Sequence, residues 1–282
     1  MRTGSLLLLG LLHLTTTTLI AQQPTAWKLP YGDNAAAGHR VKLNGVELYY
    51  ETYGEGEPLV LLHGNSGNIG YMAPQIDHFA GRYKVIALDC RGRGKSELGP
   101  DSLTYMAQAE DLNALLDHLH IDSTLIIGRS DGAVVALLMG IHYPQKVKRI
   151  AAFGANVSPD TTALYSFQSI LDERRNADKM LAAGDTTKNW KVVQQRFRMM
   201  EFQPHITAAE LGRIQCPVLV LTTDRDLIKE EHSMLIYRSI PKANLCIFPG
   251  ASHRITKEDP ALFNATVERY FTEPYKGEEI RK

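Results

Sequence analysis

Leu125-Ile126-Ile127-Gly128-Arg129-Ser130-Asp131-Gly132-Ala133-Val134-Val135-Ala136-Leu137 is the stretch that decides the fold. An apolar, β-branched run enters Gly-x-Ser-x-Gly and a helix-forming run follows at once, the strand, sharp turn and helix that raise a serine hydroxyl above the edge of a sheet. Glycine is required at 128 and 132 because the turn is tight, and a Cβ at either place would press on a neighbouring strand or helix. Ala133 keeps the next contact small. Ser130 is therefore the candidate nucleophile.

A serine needs a base, and the rest of the chain offers one in a compatible order. Pro217-Val218-Leu219-Val220-Leu221-Thr222-Thr223-Asp224-Arg225-Asp226 reads as a buried parallel strand ending in two acids. Ala243-Asn244-Leu245-Cys246-Ile247-Phe248 reads as another strand, followed by a Pro249-Gly250-Ala251-Ser252 loop that ends in His253. The order Ser, Asp, His, each just past the C-terminal end of a strand, gives His253 the role of proton acceptor. It gives an acid on the preceding loop, Asp224 or Asp226, the task of holding the imidazole tautomer.

Working outward, strands are expected near 59–62, 84–88, 124–128 and 147–153, with helical patterns between them, so the sheet is mostly parallel. Val41 to Glu51 alternates about Asn44-Gly45 and predicts a β-hairpin. Asp101 to His120 has apolar residues at helical spacing and reads as core packing. From 156 to 213 strand patterns stop. The helical stretches there carry Trp190, Phe197 and Met200, consistent with a small cap inserted between core strands, where those three residues serve cap packing or a pocket wall. The domains expected are a core over 38–155, the cap over 156–213, and the remainder of the core over 214–273.

The chain has 282 residues, 44% of them hydrophobic, which suffices for one α/β core and a cap. Its formal charge is zero with no basic stripe, which argues against a nucleic-acid partner. Arg2, the apolar run Leu6 to Leu14, and Ala21 before Gln22-Gln23 describe a secretory signal peptide over 1–21, hence an exported, periplasmic or secreted protein without stable membrane insertion after cleavage. Cys90, Cys216 and Cys246 are odd in number and lie in or beside apolar strands, so no disulfide scaffold is expected. No His and Cys spacing matches a zinc site, and neither a metal nor a cofactor is expected.

From about residue 39 to 272 the chain resembles the α/β-hydrolase fold-1 family of serine hydrolases. The resemblance implies a doubly wound, mostly parallel sheet. Family members carry Gly-x-x-Asp on the acid loop, often followed by Pro. Here Thr223-Asp224-Arg225-Asp226-Leu227 lacks both Gly and Pro, and matching the fourth position favours Asp226 as triad acid. The loop His63-Gly64-Asn65-Ser66-Gly67 after an apolar strand matches the family's oxyanion loop. It implies that the backbone N–H groups of Asn65 and Asp131 face the developing oxyanion, with His63 structural. The run Asp89-Cys90-Arg91-Gly92-Arg93-Gly94-Lys95-Ser96 lacks the Walker spacing and reads as a structural turn.

Ser130-Asp131-Gly132-Ala133 and Phe153-Gly154-Ala155-Asn156 resemble the valacyclovirase (biphenyl hydrolase-like) branch. There the acid after the nucleophile accepts a substrate ammonium, so the resemblance assigns Asp131 to substrate binding. A charge at the start of a helix accounts for Asp131 equally. Arg129 is expected to pack beneath the elbow with no catalytic role. The activity implied is cleavage of a small ester, including an α-amino acid ester, through an acyl-enzyme. The same triad would serve a lactonase, amidase, aminopeptidase or carbon–carbon bond hydrolase. A silent ligand-binding protein on this fold is the alternative of a different class.

Overall fold

A computed structural model describes residues 29–100 and 102–275. The leader expected over 1–21 lies outside them. Eight strands form one sheet: β1 (Gly38–Leu43), β2 (Val46–Tyr53), β3 (Glu57–Leu62), β4 (Tyr83–Asp89), β5 (Thr124–Arg129), β6 (Val147–Phe153), β7 (Val218–Arg225) and β8 (Ala243–Ser252). Their spatial order is β1-β2-β4-β3-β5-β6-β7-β8. β1 and β2 pair antiparallel, β2 pairs antiparallel with β4, and every later pairing is parallel. The hairpin expected at Asn44-Gly45 joins β1 to β2, with φ of 46° and 78° at the two turn residues. Both are left-handed values, as a two-residue hairpin turn requires.

The central strands are buried on both faces, and alternate side chains divide between two cores. Val60, Leu62, Ile126, Ile150, Val218 and Val220 face one side. There they meet the buried stripes of α2 (Tyr105–His118) and α3 (Asp131–His142). Leu59, Leu61, Leu125, Ile127, Phe153 and Leu221 face the other side, against α1 (Ala73–Phe79) and α9 (Pro260–Thr272). This strict period of two explains why these strands read as continuous apolar runs. Thr104 caps α2 by accepting the Ala107 N–H at 2.9 Å, which starts that helix inside the stretch expected to be helical.

Three helices separate β6 from β7: α4 (Phe167–Ala182), α5 (Trp190–Phe202) and α6 (Ala208–Leu211). Ala163, Leu164 and Ile170 form a separate apolar cluster here with Ile228, which follows β7, and Phe197 and Met200 pack against it. The connection after β7 leads to α7 (Glu230–Ser239), and α8 (Ile255–Glu258) follows β8. One expectation is corrected here. Pro249 to Ser252 is not a loop but the end of β8, which stays paired with β7 up to Arg225 and Ser252 through a register shift. Among the described residues no helix is long and apolar enough to cross a membrane.

Candidate active site

The turn at Ser130 is as tight as the glycines require. A Cβ on Gly128 would collide with the carbonyl oxygen of Gly132 and lie 2.6 Å from Ala133 Cα; one on Gly132 would lie 2.6 Å from the Leu62 carbonyl carbon. Ser130 itself has φ 53° and ψ −120°, a left-handed geometry that a non-glycine residue holds only when its surroundings over-determine it. Its N–H donates to Phe153 O at 2.8 Å and its carbonyl accepts from Ala133 and Val134, so both backbone groups are fixed. The strained residue sits between the end of β5 and the N-terminus of α3.

His253 follows β8 and is nearly buried. Its Nδ1 lies 2.6 Å from Asp226 Oδ1, and its ring stacks on Phe153 at 5.6 Å between centroids. Asp226 also accepts the Ile228 N–H at 3.1 Å. Burial alone would raise the Asp226 carboxyl. The hydrogen bond and charge of His253, with the backbone N–H groups of Ile228 and Leu227, outweigh it and hold the group below the ordinary carboxylate value. An ionised Asp226 keeps the proton on Nδ1 and leaves Nε2 free to accept another. Asp224 does something else: its exposed carboxylate accepts the Gly250 N–H at 2.8 Å and ties the end of β8 to β7. The structure thus brings Asp226, not Asp224, to His253.

Gly154, directly after β6, serves the same imidazole. It has φ +62°, and a Cβ there would lie 2.6 Å from His253 Cε1 and 2.9 Å from Nδ1. The sequence singles out Phe153-Gly154-Ala155-Asn156 only by resemblance; the packing supplies the physical reason for the glycine.

The loop after β3 runs against the elbow, since a Cβ on Gly64 would lie 3.0 Å from Ser130 Cβ. His63 anchors that loop. Its Nε2 accepts the Cys90 N–H at 3.1 Å, so Nδ1 carries the proton and donates to Gly64 O at 2.8 Å. Burial pushes its pKa down to about 3, and it stays neutral. The structural role expected for His63 is the one its bonds describe.

Asp131 carries two readings, a substrate-ammonium acceptor by resemblance and a charge at a helix start; the residue is 3% exposed and its side chain is engaged within the protein. Oδ2 accepts from Arg93 at 2.9 Å and Oδ1 from the Tyr105 hydroxyl at 3.0 Å. Burial raises the Asp131 carboxyl and Arg93 opposes that rise. Arg93, expected to be part of a structural turn, has all five N–H donors engaged. It reaches Asn65 O at 3.1 Å, Asn65 Oδ1 at 3.3 Å, Arg91 O at 3.0 Å, Gln108 Oε1 at 3.3 Å and Asp131 Oδ2. One buried guanidinium therefore clamps together Asn65 and Asp131, the two residues expected to offer their backbone N–H groups to an oxyanion. Arg196 of α5 adds a bond from the cap to Asn65 Oδ1 at 3.0 Å.

Ser130 and His253 open into a pocket of about 440 Å³ between the core and the helices after β6. Phe197, Met200, Leu164 and Ile170 line its apolar side. Trp190 does not; its indole N–H donates to Asp185 at 2.5 Å, within the cap. Among the described residues no cluster of His, Cys, Asp or Glu could hold a metal ion.

A family model described as alpha/beta hydrolase fold matches residues 57–186. The chain is 27% identical over 256 residues to mouse serine hydrolase BPHL, covering 84% of this chain and 87% of that protein. Among solved structures it resembles a hydrolase from Pseudomonas aeruginosa PA01, with a TM-score of 0.73 at 20% identity, covering 85% of this chain and 100% of the other. It also resembles an enol-lactonase from Burkholderia xenovorans LB400, with a TM-score of 0.71 at 20% identity, covering 83% and 100%. Strand order, the family model and these relatives agree with the resemblance read from the motifs: the chain has the α/β-hydrolase fold.

Proposed function

We propose that this chain is a serine hydrolase that cleaves a small carboxylic ester through an acyl-enzyme. The observation that carries the reading is the 2.6 Å contact between His253 Nδ1 and an ionised Asp226, with His253 and the strained Ser130 on the wall of one pocket. Ser130 Oγ attacks the ester carbonyl as His253 Nε2 takes its proton. The negative charge that develops on the carbonyl oxygen meets the N–H groups of Asn65 and Asp131 at the positive end of α3. Collapse breaks the bond to the alcohol, which leaves with the proton from His253. Water then repeats the sequence on the acyl-serine, releasing the acid and restoring Ser130.

A carboxylate beside the oxyanion would oppose that charge, and Arg93 offsets it. With Asp131 so engaged, the reading needs no ammonium on the substrate. The test is labelling of the folded chain by a fluorophosphonate probe. Labelling of the wild type that is lost in Ser130→Ala supports the reading, and a folded wild type that stays unlabelled refutes it.

A further inference from the structure

The pocket wall carries positive charge, and among its described lining residues there is no carboxylate. Arg129 and Arg254 line it beside Ser130 and His253, and no other lining residue is an arginine, lysine, aspartate or glutamate. A cavity of about 40 Å³ adjoins the pocket, sharing Tyr71, Arg129 and Arg254 and adding Thr256 and Lys257. That is room for a few atoms rather than a ring, since one water's share of liquid volume is about 30 Å³.

The three cations have little to balance them. Arg129, the residue before the nucleophile, uses one amino group on the His253 carbonyl oxygen at 2.9 Å. Burial and the charge of Arg254 both weaken its hold on its proton, although Tyr71, Asp226 and Asp131 oppose that. Lys257 sits over the Tyr71 ring at 3.5 Å, and burial, Arg129 and Arg254 push its pKa down. The acids nearby are already committed: Asp226 to His253, Asp131 to Arg93, and Glu258 to Arg254 across a mostly exposed 3.6 Å gap. A partly buried guanidinium without a counter-ion is costly, and a ligand anion is the group that would repay it.

We propose that Arg129, with Arg254 and Lys257, forms a carboxylate subsite, so that the ester hydrolysed here carries a free carboxylate. This rests on the serine-hydrolase reading and names its substrate class. A carboxylate matches the small volume and the planar fork of Arg129. The subsite is built from the elbow residue and from residues at and in α8, whereas Phe197 and Met200 of α5 give the pocket apolar lining for the rest of the substrate.

Two measurements test it, the second of them separately from the chemistry. The first compares kcat/KM for 4-nitrophenyl hydrogen succinate with its neutral counterpart 4-nitrophenyl pentanoate. The charged ester should be preferred about ten- to a hundredfold, the worth of a charged hydrogen bond, with the preference lost in Arg129→Met and reduced in Lys257→Met. The second is calorimetric binding of succinate to the inert Ser130→Ala chain, expected to weaken at least tenfold when Arg129→Met is added. Should Arg129→Met fail to fold, Lys257→Met and Arg254→Gln carry the same comparison at exposed positions. Equal rates for the two esters, succinate binding indifferent to all three changes, or binding of inorganic phosphate but not succinate would each overturn the subsite. Failure of fluorophosphonate labelling would instead overturn the hydrolase reading, and calorimetry would still judge the subsite.

Discussion

Replacing Arg93 with Met is the most searching perturbation of the site's scaffold. The guanidinium is 4% exposed, pairs with a carboxylate that is 3% exposed, and spends its other donors on Asn65, Arg91 and Gln108. Removing one partner of such a buried pair leaves the other charge uncompensated and costs about 3–5 kcal/mol. That is a large share of the roughly 5–15 kcal/mol that holds a domain folded. Arg93→Met should therefore lower the urea midpoint sharply, and adding Asp131→Asn should recover most of the loss, because the stranded charge is gone. The double-mutant cycle should return a coupling of about 2 kcal/mol or more. Activity should not recover with stability: Asn65 loses two anchors in both variants, and disturbing an oxyanion donor costs up to about a hundredfold in kcat. An Arg93→Met chain within about 1 kcal/mol of wild type, with additive effects in the double variant, would refute the clamp.

Asp226→Asn should cut kcat by about a thousandfold or more on 4-nitrophenyl acetate by stabilising the wrong imidazole tautomer. Asp224→Asn, which touches only the Gly250 N–H, should stay within about threefold of wild type. Gly154→Ala should displace His253 by the 2.6 Å conflict at Cε1 and lower kcat by about a hundredfold with KM less affected, as stopped-flow or steady-state rates would show. His63 supplies a pH prediction. Its folded pKa of about 3 lies below the unfolded value near 6.5, so as pH falls the unfolded chain takes the proton first. Its stability contribution is complete above pH 6.5 and drains away towards pH 3. Between pH 7 and 5 the wild type should lose about 2 kcal/mol more than His63→Asn in urea unfolding. An equal loss in both would place the acid sensitivity elsewhere.

What the sequence made legible were features set by local physics. The run into Gly128 and Gly132 read as a strand-turn-helix, because an apolar strand pattern precedes the two glycines and a helix-forming run follows them. The Asn44-Gly45 hairpin and the apolar central strands follow from turn conformation and two-sided burial. The end of β8 was not legible, since Pro249 and Gly250 read as a loop while a register shift and the Asp224 bond keep them in the sheet. The partner of Asp131 was not legible because Arg93 lies 38 residues earlier, in a glycine-rich turn whose local pattern says nothing about where a long side chain reaches. A signal did exist: Arg93 and Asp131 each follow the C-terminal end of a strand, β4 and β5, and both strands flank β3. Arg129 likewise read as packing beneath the elbow, although the structure puts it on the pocket wall.

The central claim is that Ser130 becomes acylated, and pre-steady-state turnover of 4-nitrophenyl acetate tests it most directly. The account predicts a burst of nitrophenol, up to one per active site, when deacylation is the slower step. Acid quench during turnover should then trap an acetyl group on the peptide containing Ser130, found by mass spectrometry and absent in Ser130→Ala. Turnover in the folded chain with no acyl group on that peptide, or undiminished turnover in Ser130→Ala, would contradict it.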